Sequence, residues 1–75
     1  MPYEEPRYER VMTDLRKRIA AGEFPDGKLP STAALVEHYG FSRETIRQAI
    51  TRMIVLGELR GEQGAGVYVA ARDAT

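Results

Sequence analysis

The 75-residue sequence contains no cysteine, so neither a disulfide nor a thiolate zinc site can staple it. It has a single histidine, His38, which excludes a multi-histidine metal cluster. It has no surplus of charge, because eleven basic and eleven acidic side chains give a net charge of zero. That balance argues weakly against a nucleic-acid partner. It has no apolar run near the roughly 20 residues of a membrane span. Its opening, Met1-Pro2-Tyr3-Glu4-Glu5-Pro6, is too acidic and polar for a secretory signal. The cytoplasm is the expected compartment. Nucleophile–base and carboxylate pairs are also missing. Glu37 and Glu44 suggest no catalysis, and no enzyme, cofactor, metal or small-molecule effector site is expected. Length is short too. One small domain over residues 1–75, ordered over about 6–70, has room for only a marginal core. A simple fold or self-association follows.

What is present is a globular composition, with 43% hydrophobic and 29% charged residues. The distribution of charge says more than its sum. Residues 28–56 carry Lys28, Arg43, Arg47 and Arg52 against Glu37 and Glu44, a small positive excess. The flanking segments are each slightly acidic. Phosphate contacts alone would therefore give modest, salt-sensitive affinity.

The positive segment holds Ser42-Arg43-Glu44-Thr45-Ile46-Arg47-Gln48-Ala49-Ile50-Thr51. Ser42 suits a helix N-cap. Ile46, Ala49 and Ile50 supply an apolar face at helical spacing. Arg43 and Arg47, four residues apart, stand on the other side near the helix start. Two guanidinium forks in that position suit a helix that reads the major groove of DNA. This third helix is expected to run to about Leu56 and to end at Gly57.

Upstream, Tyr8, Val11, Met12, Leu15 and Ile19 follow the i, i+3, i+4, i+7 pattern of a first helix from about Pro6 to Ala21. Gly22 suits its left-handed stop. Arg10, Asp14, Lys17 and Arg18 are expected largely on its wet side. Phe24-Pro25-Asp26-Gly27 reads as a turn, and Lys28-Leu29-Pro30 as a short extended piece. Ser31 caps a second helix over about Thr32 to Tyr39, with Leu35, Val36 and Tyr39 inward and Gly40 as its stop. About three residues containing a glycine separate the second and third helices, the mark of a helix-turn-helix. Glu58-Leu59-Arg60-Gly61 and Val67-Tyr68-Val69-Ala70 then read as two strands joined by Gln63-Gly64-Ala65-Gly66. The predicted class is mainly α with a small β-hairpin: a winged helix-turn-helix with three helices and a two- or three-stranded wing.

These motifs, in this order, resemble the DNA-binding domain of the GntR family of bacterial transcription regulators. The markers are Gly22 and Gly27, Leu29-Pro30-Ser31, Phe41-Ser42-Arg43-Glu44-Thr45-Ile46-Arg47-Gln48-Ala49, Leu56-Gly57 and Gly64-Ala65-Gly66-Val67-Tyr68-Val69. The likeness runs from about Tyr8 to Val69. It implies a repressor-type regulator that binds double-stranded DNA, with a recognition helix over about 43–56 and a wing over about 58–70. It implies that Ser31 and Ser42 sit at the DNA-facing helix starts and that Arg43 reaches guanine edges. Arg47 would do likewise or contact phosphate, and Thr45 would give its hydroxyl to phosphate. Gly64 and Gly66 would let the wing approach the minor groove, with Gln63 entering it.

A homodimer on an inverted-repeat operator fits a module this small. Other candidate contacts have bland alternatives. Tyr8 is a core residue or a phosphate contact, Arg52 a salt-bridge partner or a phosphate contact, and Lys28 and Arg60 solvated or phosphate-bound. Two departures qualify the likeness. Where the family has Glu-Arg-Glu after Leu-Pro-Ser, this sequence has Thr32-Ala33-Ala34, so a phosphate-clamping arginine is missing at Ala33. The capping-box glutamate is likewise missing at Ala34. No larger effector-binding domain is visible in the sequence. The alternative is a winged helix used as a protein-interaction or dimerisation module with weak or no DNA binding.

Overall fold

A computed structural model describes residues 5–70. The elements are α1 (Arg7–Ala20), α2 (Thr32–Tyr39), α3 (Arg43–Val55), β1 (Leu59–Glu62) and β2 (Gly66–Val69). Three helices and an antiparallel hairpin make a winged helix-turn-helix, as the sequence predicts.

The inward positions of the three helices meet in one core. Val11, Met12 and Leu15 come from α1, Leu35 from α2, and Ile46, Ala49, Ile50 and Met53 from α3. Leu29 and Leu59 close it from the loop before α2 and from β1. Val11, Leu15, Ile46, Ala49 and Met53 are each 0% exposed. Helix α3 is the hub, since it packs on α1, α2 and β1. Its exposed face is therefore held by the whole domain.

Helix ends follow from local chemistry. Pro6 stands just outside α1 as its cap rather than as its first helical residue, and its carbonyl accepts from the amides of Glu9 and Arg10 at 3.0 and 3.2 Å. At the end of α3, Gly57 takes φ +79°, where a side chain would be strained. The Gly57 amide donates to the Ile54 carbonyl and the Glu58 amide to the Met53 carbonyl, at 3.0 and 2.8 Å. That paired geometry ends the helix and turns the chain into β1.

Strands β1 and β2 pair in the register Leu59↔Val69 to Glu62↔Gly66. Each begins one residue away from its expected start. On the other side of β2, Lys28 bridges Tyr68. The Leu29 amide donates to the Val67 carbonyl at 2.9 Å, and the Val69 amide to the Gly27 carbonyl at 2.7 Å. The extended piece before Pro30 thus acts as a minimal third strand and ties the wing to the start of α2.

The first helix differs from expectation on its polar side. Arg10 and Lys17 are exposed, but Asp14 and Arg18 are half-buried against α2. The Tyr39 hydroxyl donates to Asp14 Oδ2 at 2.7 Å and accepts from Arg18 Nη1 at 3.2 Å. Arg18 Nε also donates to Glu23 at 2.9 Å. Burial, and then the bond to Asp14, push the Tyr39 hydroxyl pKa up to about 12. A second clamp joins Arg16 to Glu58 through two parallel bonds of 2.6 and 2.7 Å. It fixes α1 against the turn that follows α3, and it holds the Arg16 pKa above its ordinary value.

Candidate nucleic-acid interface

The start of α3 is built by one serine. Ser42 has an extended backbone, φ −67° and ψ 159°, and its Oγ accepts from the Thr45 amide at 3.2 Å. Ser42 Oγ also lies 3.0 Å from Thr45 Oγ1. This settles the direction in which the first turn leaves the loop. Ile46, Ala49, Ile50 and Met53 then face the core, which leaves Arg43, Glu44, Arg47, Gln48 and Thr51 exposed. Among the described residues, neither the Arg43 nor the Arg47 side chain makes a hydrogen bond or ion pair. Two exposed, unneutralised guanidinium groups therefore stand near the positive start of α3.

The start of α2 repeats the cap. Ser31 Oγ accepts from the Ala34 amide at 3.1 Å. Ala33 and Ala34 are both exposed, so the turn projects no charge. An open cleft of about 570 Å³ lies between this turn and the wing, lined by Lys28, Ser31, Thr32, Ile50, Ala65 and Gly66 among others.

The wing tip is a turn closed by the Ala65 amide donating to the Glu62 carbonyl at 2.9 Å. Its third residue, Gly64, takes positive φ at +79°. Gly66 follows at φ +111°, and a Cβ there would also meet the Lys28 stem at 3.4 Å. Gln63, Gly64 and Gly66 are all exposed at this tip.

The remaining predicted contacts are already engaged within the domain. The Arg52 guanidinium lies 4.5 Å from the centre of the half-buried Tyr8 ring. Arg52 thus stacks on α1 and, among the described residues, forms no salt bridge. Arg60 pairs with Glu62 at 3.0 Å and leans over Tyr68 at 5.9 Å. Lys28 is exposed with its stem against the wing. His38 is an exposed helix residue edge-on to Tyr39. Among the described residues no helix is long and apolar enough to cross a membrane, and no group of three His, Asp or Glu residues could hold a metal.

Comparison with known proteins decides the family. The model of the bacterial regulatory proteins of the gntR family matches residues 7–69. The chain belongs to the gntR family. It is 38% identical over 66 residues to the mannosyl-D-glycerate transport/metabolism system repressor MngR of Escherichia coli K12, covering 87% of this chain and 28% of that protein. It is likewise 38% identical to the transcriptional repressor NagR of Bacillus subtilis 168, over 87% of this chain and 27% of NagR. The chain thus spans little more than a quarter of the length of these curated relatives. Among solved structures, the AraR DNA-binding domain in complex with operator ORR3 superposes with a TM-score of 0.83 at 35% identity. That match covers 93% of this chain and 86% of the AraR chain. YydK of Bacillus subtilis, at 19% identity and a TM-score of 0.83, shares the fold. The structure brings Ser42, Arg43, Thr45 and Arg47 onto one helix start. It gathers Ser31, Lys28, Gly64 and Gly66 around the adjoining cleft and wing.

Proposed function

We propose that this gntR-family chain is the sequence-specific, double-stranded DNA-reading module of a bacterial transcription regulator, of the repressor kind. The observation that carries this reading is the unpaired, exposed Arg43–Arg47 pair at the capped start of α3. In the major groove each guanidinium can donate two bonds to guanine O6 and N7. Ser42 and Thr45 hold the helix start. If Ser42 donates within the hydroxyl pair, Thr45 keeps its own hydrogen for a phosphate oxygen. The glycine tip lets Gln63, Gly64 and Gly66 come close to the minor groove. Tyr8, Lys28, Arg52 and Arg60 would reach phosphates only by extending or adapting the contacts they already make. The similarity to the AraR DNA-binding domain, solved in complex with an operator, supports operator binding.

A homodimer on an inverted repeat supplies the affinity that one module lacks. Action in the cytoplasm, on the nucleoid, follows from such a target. The role read here is binding rather than catalysis, in keeping with the regulatory gntR family.

A protein-interaction module is the second reading, favoured by the zero net charge and the uncharged turn at Ala33. Fluorescence anisotropy on a selected operator at several salt concentrations separates the two. DNA reading predicts a steep linear fall of log K with log salt. A titration with no DNA binding at any salt would favour the protein interface.

A further inference from the structure

The proposed reading face carries one group that is wrong for a surface meant only to grip phosphate. Glu44 is exposed in the first turn of α3, between Arg43 and Arg47 in sequence. Among the described residues its carboxylate makes no hydrogen bond or ion pair, even with these arginines. With Arg47, Gln48, Thr51 and Arg52 it lines a shallow groove of about 600 Å³ along the outer face of α3. A carboxylate suits a helix N-terminus electrostatically, but here it would also be carried towards a polyanion.

We infer that Glu44 is a specificity-determining residue that accepts a hydrogen bond from the C4 amino group of a cytosine in the major groove. This rests on the DNA-reading role of α3. An ionised carboxylate can only accept. Guanine shows it two acceptors, and thymine an acceptor and a methyl group. Adenine shows a donor beside the N7 acceptor. Cytosine alone shows an amino donor with no acceptor at its side. Glu44 therefore favours cytosine, accepts adenine less well because of its N7, and disfavours guanine and thymine, while Arg43 and Arg47 favour guanine. The charge that selects also weakens non-specific binding, because it sits among the phosphate-seeking groups. Glu44 leaves α3 about 100° round the axis from Arg43 and about 60° from Arg47, given 3.6 residues per turn. It thus faces a different base edge from either, so the half-site should hold a cytosine next to the guanines.

The test is selection of bound DNA from a random pool by the 75-residue chain, its Glu44→Ala variant and its Glu44→Gln variant, together with affinity for a mixed non-specific duplex. Wild type should enrich a cytosine at one position of each half-site. Glu44→Ala should relax that position at least about fivefold, the low end of a specific base contact, and bind the non-specific duplex more tightly. Glu44→Gln should shift the same position towards adenine, which glutamine can read with two bonds. A thermal melt by circular dichroism confirms that each variant is folded, and the glutamine exchange keeps the test open if the alanine variant is not. If wild type enriches a motif that both variants reproduce with equal weights, Glu44 is not a reader, although the module still reads DNA. If wild type enriches nothing, the DNA-reading assignment itself falls and this inference with it.

Discussion

Helices α2 and α3 start in nearly the same way and present opposite chemistry. Ser31 and Ser42 adopt φ/ψ of −64°/161° and −67°/159°, and each accepts a bond from the amide three residues on, at 3.1 and 3.2 Å. The next three residues are Thr32-Ala33-Ala34 in one case and Arg43-Glu44-Thr45 in the other. The cap fixes the direction of a helix and satisfies its first amides. Only the side chains that follow decide what the exposed turn can bind. Here the charged groups are gathered at α3, and α2 offers backbone and hydroxyl alone. On the proposed DNA-reading role, recognition would accordingly be concentrated on one helix start, with the wing beside it.

The largest break removes the scaffold common to both starts. Ile46 is 0% exposed at the centre of the core. Ile46→Ala should cost about 2–5 kcal/mol of stability, measured by urea unfolding, and should abolish DNA binding with it. Smaller and more discriminating is the pair of cap exchanges. Ser31→Ala and Ser42→Ala should each cost about 0.5–2 kcal/mol in stability, since the two caps are alike. On DNA they should part company. Loss of Ser42 disorders the turn that aims Arg43 and Arg47, so it should weaken specific binding well beyond its effect on folding, as a gel-shift series would show.

The comparison can also be sharpened by making the two starts alike. Ala33→Arg adds a cation on the exposed first turn of α2 with no core contact to disturb. It should leave thermal stability unchanged and tighten DNA binding. The salt slope should steepen by about 0.9 for one added phosphate contact. An unchanged slope would mean that this turn does not face the DNA backbone.

The smallest effect concerns the latch that holds α2 on α1. The folded protein keeps the Tyr39 hydroxyl protonated up to about 12, against 10.0 for an ordinary tyrosine. The folded state therefore binds this proton more tightly than the unfolded state. Its contribution is complete below pH about 10 and is lost as pH rises towards about 12. Chemical unfolding across this range should show a decline that Tyr39→Phe reduces.

Much of this arrangement was legible in the sequence because its causes are local. The bounds of α2 match the expected Thr32 to Tyr39, since a capping serine and Gly40 mark its ends. The exposed positions of Arg43 and Arg47 follow from the spacing of Ile46, Ala49 and Ile50. The strands lie one residue away from expectation because the turn at Gly64 sets the register, and alternation over four residues is too short to fix it. The half-buried Asp14–Tyr39–Arg18 cluster was not legible. Asp14 and Tyr39 are 25 residues apart, and a polar face looks wet until the neighbouring helix is in place. The same holds for Arg16 and Glu58, 42 residues apart, and for Arg52 on Tyr8. In each case the partner is supplied by tertiary packing, which local pattern does not encode.

The central claim is that recognition rests on the α3 start, with Arg43 at its head. The most direct test is the affinity of wild type and Arg43→Ala for a selected operator and for a scrambled duplex of equal length at one salt concentration. A bidentate guanine contact predicts a loss of about 1–3 kcal/mol on the operator for each recognised half-site, a much smaller loss on the scrambled duplex and an unchanged melting temperature. Equal losses on both duplexes would reduce Arg43 to a phosphate contact, and no loss on the operator would contradict the assignment of α3 as the recognition helix.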